Sequence, residues 1–243
     1  MKEIIPGIYT WSWLSPRHGY NFNGYTFMSG DGLVVIDPAV MEDADMNGLL
    51  KLGTPAHIFL TNKDHERMAY ELRDHFGAPI YINEKDSSLL KNSPNYTFSD
   101  GEILPGGLRA IHVPDNKSPG ETALLLSQGR RILFIGDAII GWPEGEFSLL
   151  PADKYNDPHK AKESIGVLLG YDYDIVLVGD GESILENGKE AVRRFLNRND
   201  VHLTLPVRWL ALTKILFSSL LFSPYLLFIY EQLQGIFVDF RPS

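Results

Sequence analysis

Short apolar runs separated by turn-forming residues dominate the first half of the chain. Gly7-Ile8-Tyr9-Thr10-Trp11 and Asn23-Gly24-Tyr25-Thr26-Phe27-Met28 read as paired strands. Ser29-Gly30-Asp31-Gly32 is a turn signal, and Leu33-Val34-Val35-Ile36-Asp37 follows as a buried strand. Ala56-His57-Ile58-Phe59-Leu60 is another apolar strand. The period then changes: Met68, Leu72 and Phe76 recur at helical spacing with charges between them, which predicts a helix over 66–76. Pro79-Ile80-Tyr81-Ile82 resumes a strand.

The second half repeats the alternation. Thr122-Ala123-Leu124-Leu125-Leu126 and Ile132-Leu133-Phe134-Ile135 predict a hairpin around Gln128-Gly129. A helix is expected over 158–169, with Asp157 as its N-cap. Ile175-Val176-Leu177-Val178 reads as a buried strand, and 189–196 as an amphipathic helix. Strands with interleaved helices in two halves predict an α/β sandwich with outer helices. The pattern shifts near Asn199-Asp200: from Val207 to Tyr230 the chain is largely apolar, and Ile215 to Tyr230 carries no charge. We therefore divide the chain into a domain at 1–199 and a hydrophobic helical extension at 200–243.

Composition narrows the function classes. The chain has 243 residues, 44% of them hydrophobic and 22% charged, as in ordinary globular proteins, and that length accommodates a sizeable core. A net charge of -9 argues against a nucleic-acid partner, because phosphate binding needs a basic surface. With no cysteine, disulfides, thiolate metal sites and cysteine nucleophiles are excluded. No basic-then-apolar leader is visible in MKEIIPGIYTW, so a cytoplasmic location is expected. Ser118-Pro119-Gly120 does not form a serine-hydrolase elbow, and no phosphate-binding glycine loop stands out.

Polar residues gather where strands end. Asp64 and His65 follow the strand ending at Leu60; Asp137 follows Ile135 through Gly136; Asp180 follows Val178 through Gly179. Asn116 and Lys117 lie in the loop from Pro114 to Glu121. Each piece has a plainer explanation, since Asp suits helix caps and Asp-Gly suits turns. Converging, three carboxylates and one imidazole could hold a divalent cation, and without one they would repel each other.

Taken in order, these segments resemble the metallo-β-lactamase-fold hydrolases over about residues 1–199. That family carries His-x-His-x-Asp-His after a strand; here Leu60-Thr61-Asn62-Lys63-Asp64-His65 keeps only the Asp-His end. Its loop histidine falls near Asn116, its bridging Asp matches Gly136-Asp137, and its final histidine becomes Asp180 in Gly179-Asp180-Gly181. Asp37 matches a strand-end Asp of the family.

The resemblance implies an αββα sandwich in four layers and a degenerate metal site. With Leu60, Asn62 and Asn116 at its ligand positions, the first site is expected to be lost. A second site at Asp64, His65, Asp137 and Asp180 is expected to keep one ion, Mn, Fe or Zn. Water on that ion would attack an ester, amide or phosphoester of a small-molecule substrate, with Asp64 and Asp137 as catalytic residues. Lys63, Asn116 and Lys117 are the expected substrate-binding residues. The alternative is a non-catalytic member that uses the fold for binding or scaffolding. For 207–238 we expect burial on a membrane surface or in a homo-oligomer contact, with true membrane spanning as the alternative, because an apolar face of that size does not stay in water alone.

Overall fold

The computed structural model describes residues 1–198 except 128 and 130, so the expected extension at 200–243 lies outside the described residues. Chain order begins with β1 (Lys2–Ile5), β2 (Ile8–Leu14), β3 (Asn21–Ser29) and β4 (Gly32–Ile36), an antiparallel meander. Helix α1 (Asp43–Leu52) then crosses to β5 (Pro55–Phe59), and α2 (Ala69–Phe76) crosses to β6 (Ile80–Asn83). With β7 (Tyr96–Phe98) these strands form a seven-stranded sheet in sequence order, parallel from β4 onward.

The second sheet has five strands. It contains β8 (Ile103–Leu104), β9 (Leu108–His112), β10 (Thr122–Leu126), β11 (Ile132–Ile135) and β12 (Ile175–Val178). Its strands are antiparallel except β11 and β12, which run parallel and are joined by a long connection containing α3 (Pro158–Ser164). Helix α4 (Gly188–Asn197) follows β12.

Burial explains the layering. Phe27, Val34, Ile36 and Phe59 of the first sheet meet Leu108, Leu124, Phe134 and Leu177 of the second between the two sheets. On the outer face of the first sheet, Leu33, Val35, Ile58 and Ile80 pack with Leu49 of α1 and Leu72 of α2. On the outer face of the second, Ile111, Leu125, Leu133 and Val176 pack with Ala161 of α3 and Val192 and Phe195 of α4. The central strands are apolar on both faces because both faces are covered, giving continuous runs instead of alternation. The result is the αββα sandwich expected from the sequence.

Three differences from the expected elements matter. The 66–76 helix begins only at Ala69, because Lys63–His65 form a single 3-10 turn that carries the chain along the sheet edge. The helix expected over 158–169 is α-helical to Ser164 and tightens to 3-10 over Ile165–Gly170. Helix α1, the short strands β1, β7 and β8, and β9 were not expected. In α1 only Leu49 is buried, which leaves a weak apolar stripe. Among the described residues, no helix is long and apolar enough to cross a membrane.

Candidate functional site

Four strands end at one edge of the sandwich, and the chain leaving each end carries a polar side chain to the same place. Asp37 follows β4, the segment from Thr61 to Arg67 follows β5, Asp137 follows β11, and Asp180 follows β12. The loop between β9 and β10 supplies Lys117 and Glu121. Two glycines allow the close approach. A Cβ on Gly136 would lie 2.3 Å from Thr61 Oγ1, and one on Gly179 would lie 2.4 Å from His65 Cε1.

Asp37, with φ 47°, anchors the cluster from below. It accepts hydrogen bonds from Thr61 N at 2.9 Å and Thr61 Oγ1 at 2.6 Å, and its Oδ2 lies 2.9 Å from His65 Nδ1. That contact aims His65 Nε2 at Asp137 Oδ1, 3.3 Å away, with Asp180 Oδ1 at 4.0 Å. His65, Asp137 and Asp180 are all buried, and their donor atoms lie within 4.8 Å of one another.

Cationic side chains already occupy the two acids. Lys117 Nζ lies 2.6 Å from Asp137 Oδ2 and 3.0 Å from Asp64 Oδ2. Arg67 donates to Asp180 Oδ1 at 2.7 Å, and its guanidinium lies 4.3 Å over the Phe22 ring. Asp64 stands at the rim, held also by Lys63 Nζ at 2.9 Å. Four cationic groups (Lys63, His65, Arg67, Lys117) thus face four carboxyl groups (Asp37, Asp64, Asp137, Asp180).

These pairings set the protonation states. Burial pushes Asp137 up, but Lys117 and His65 outweigh it and hold the carboxyl well below the ordinary range. Burial and Arg67 push His65 down, yet Asp37 and Asp137 outweigh them and raise it to about 10, so the imidazole is a cation at neutral pH. Lys117 is likewise held above its ordinary value, the acids beside it overcoming the cost of burial. Glu121 is driven the other way. Burial first, then the charge of Asp137, raises it well above its ordinary value. Its Oε1 accepts from Ala138 N at 3.2 Å and Asn62 Nδ2 at 3.4 Å.

The loops that carry the cations are held from behind. Asp86, fully buried, accepts from Lys63 N at 3.0 Å, Gly120 N at 2.7 Å and the Ser118 hydroxyl. The residues singled out from the sequence therefore divide. His65, Asp137 and Asp180 come together, while Asp64 stands beside them in the hands of Lys63 and Lys117. Asn116 faces elsewhere: its Nδ2 donates to Pro114 O at 3.0 Å and lies 3.2 Å from Ser164 Oγ. Arg67, Thr61, Glu121 and Asp86 were missed.

A signal for Arg67 existed in the motif register. Leu60 is fully buried in the apolar cluster beneath α1 and α2, so the motif does not begin there. Moved two residues on, His-x-His-x-Asp-His falls on Asn62-Lys63-Asp64-His65-Glu66-Arg67. Moved one residue on, the loop motif His-Thr-Pro-Gly falls on Lys117-Ser118-Pro119-Gly120. Both cations then stand at histidine positions of the family motif.

The family's metal pair does not fit this donor set. An ammonium or guanidinium has no lone pair to give a metal, and two ligand positions carry one. The acids an ion would need are in contact with those cations, so a divalent ion would have to enter against fixed positive charge.

A family model described as metallo-β-lactamase superfamily matches residues 1–198. No curated protein matches the chain in sequence. Among solved structures, a metallo-β-lactamase from Pontibacter korlensis is similar, with a TM-score of 0.66 and 18% identity over 81% of this chain and 98% of that one. The B3 metallo-β-lactamase BLEG-1 has a TM-score of 0.60 and 21% identity, covering 75% of this chain and 96% of its own. A metallo-β-lactamase from Hirschia baltica has a TM-score of 0.61 and 16% identity, covering 80% and 96%. At these identities the likeness speaks for the fold.

Proposed function

Since this chain belongs to the metallo-β-lactamase superfamily, we propose that it is a metal-independent member, one that uses the shared sandwich for binding or scaffolding and not for metal-assisted hydrolysis. Family membership supports a metal-dependent hydrolase in general; relatives typically hold divalent ions, usually zinc, and a His65, Asp137, Asp180 group is present here. The observation that carries our reading is the Lys117 ammonium on Asp137 and Asp64, a fixed positive charge at the acids an ion would need.

The test is metal analysis of full-length protein purified without chelator or metal-affinity steps, with ester, amide and phosphoester substrates assayed in parallel. Our reading expects folded protein with far less than one equivalent of Mn, Fe or Zn and no hydrolysis. A second reading, a hydrolase with one retained ion on His65, Asp137 and Asp180, draws on the 4.8 Å clustering of their donor atoms. One tightly held equivalent, lost with activity in Asp137→Ala, would establish it in place of ours.

We also propose a cytoplasmic location and a membrane-surface or homo-oligomer contact through 207–238. Fractionation of the full chain against one ending at Asn199 tests the second point. Equal solubility and a monomeric state for both would refute it.

A further inference from the structure

The acidic cluster is assembled from both halves of the sandwich. Asp37, Asp64, His65 and Arg67 come from connections of the first sheet; Lys117, Asp137 and Asp180 come from connections of the second. Four ion pairs cross between them: Lys117 to Asp64 at 3.0 Å, His65 to Asp137 at 3.3 Å, His65 to Asp180 at 4.0 Å, and Arg67 to Asp180 at 2.7 Å. Without Lys117 and Arg67, Asp137 and Asp180 would share one imidazole between them at this edge.

We infer that Lys117 and Arg67 are resident cations of this site, supplying from the chain itself the charge neutralisation and cross-sheet linkage that a bound divalent ion would supply. The inference rests on the metal-independent reading above. Placement supports it: each cation stands at a histidine position of the shifted motif, and each contacts an acid that is almost wholly buried. Their environment supports it as well. Lys117 is three-quarters buried and bridges two carboxylates, and Arg67 is sandwiched between Asp180 and the Phe22 ring. Cations nearer the surface also bridge or stack, Arg131 on Asp172 and Asp174 and Arg73 over Tyr70. What sets Lys117 and Arg67 apart is burial, their own and that of Asp137 and Asp180, where an ion pair weighs more than at the surface.

Two arms of one experiment decide it, both in the full chain. In the first, Lys117→Met and Asp137→Asn are made singly and together, and folding equilibria are measured in urea. The resident-cation role expects Lys117→Met to cost at least about tenfold in the folding equilibrium, and much less when Asp137 is already neutral, because a buried unpaired acid is what makes the loss expensive. The same cycle is run for Arg67→Met with Asp180→Asn. In the second arm, Lys117→His and Arg67→His are combined, which removes two fixed charges and adds two imidazole donors. This variant is expected to take up zinc stoichiometrically and to melt at higher temperature with zinc than without, whereas the parent does neither. Additive cycles, or a folded double variant that takes up no zinc, would overturn the inference while leaving the metal-independent reading standing. One equivalent of metal in the parent, with Lys117 and Arg67 intact, would overturn that reading itself.

Discussion

Lys117 Nζ touches Asp137 Oδ2 at 2.6 Å and Asp64 Oδ2 at 3.0 Å, so a single ammonium joins an acid of the second sheet's edge to one from the first. The two contacts differ in weight. Asp64 is more than a third exposed and also paired with Lys63, so water and a second cation can replace Lys117 there. Asp137 is buried, and what remains to it is His65.

The contrast gives a first prediction. Asp64→Asn should cost under about 1 kcal/mol, in line with exposed ion pairs. Asp137→Asn should cost more, because it leaves a buried Lys117 and a buried His65 facing a neutral amide. Urea unfolding of the two variants side by side checks the ranking, and an equal loss would mean that burial does not control these pairs.

His65 gives a pH dependence of definite sign. Its folded value is raised to about 10 from an ordinary 6.5. A group whose folded value is raised contributes stability that is fully present below the unfolded value and is lost as pH rises through the folded one. Stability should therefore decline from about pH 6.5 to about pH 10, and His65→Gln should flatten that decline. Asp137 works in the opposite direction: held below its ordinary range, it contributes above the ordinary carboxylate value and keeps contributing well into acid. Urea midpoints across pH for parent and His65→Gln test this, and a parent curve flat above pH 6.5 would contradict the charged imidazole.

Much of this site was legible in the sequence because its acids follow apolar runs directly. Asp137 and Asp180 each come two residues after a buried strand, through a glycine, and a strand end fixes where such a residue must lie. Arg67 is not legible from a motif that starts at Leu60, a residue whose burial under the helices only the fold reveals. Glu121 was hidden differently. It closes a polar loop that reads as solvated, yet its carboxyl is fully buried, and burial pushes it well above its ordinary value. The helix α1 escaped because so little of it faces the core. Asp64 and Lys63 are neighbours in the chain, and their side chains also pair with each other in space, a contact that adjacency alone does not reveal.

Asp86 should matter more than its distance from the acids implies. Its carboxyl receives Lys63 N, Gly120 N and the Ser118 hydroxyl, tying the Asn62–His65 turn to the loop that carries Lys117. Asp86→Ala leaves those donors buried without partners and should cost about 2–4 kcal/mol, allowing about 1–3 kcal/mol for each orphaned buried donor and some relief by water. Hydrogen exchange should speed up at Lys63 and Gly120 together. Acceleration of one loop alone would show that Asp86 does not couple them.

The last prediction tests how tightly the edge is packed. Gly179 sits where β12 ends, and a Cβ there would come within 2.4 Å of His65 Cε1 and 3.1 Å of His65 Nδ1. Its φ is not in the left-handed region, so backbone strain is not at issue, and the effect of Gly179→Ala is purely one of space. The imidazole cannot step aside freely, because Asp37 holds one nitrogen and Asp137 the other. Overpacking of a fixed group costs about 1–3 kcal/mol, and we expect Gly179→Ala to fall in that range. The control is the same change in His65→Ala, where the space is vacated: there Gly179→Ala should be neutral or stabilising, since alanine also reduces the freedom of the unfolded chain. Calorimetric melting of the four proteins measures the coupling between the two positions. If Gly179→Ala costs as much without the imidazole as with it, the two residues do not share the close contact on which this account of the edge depends.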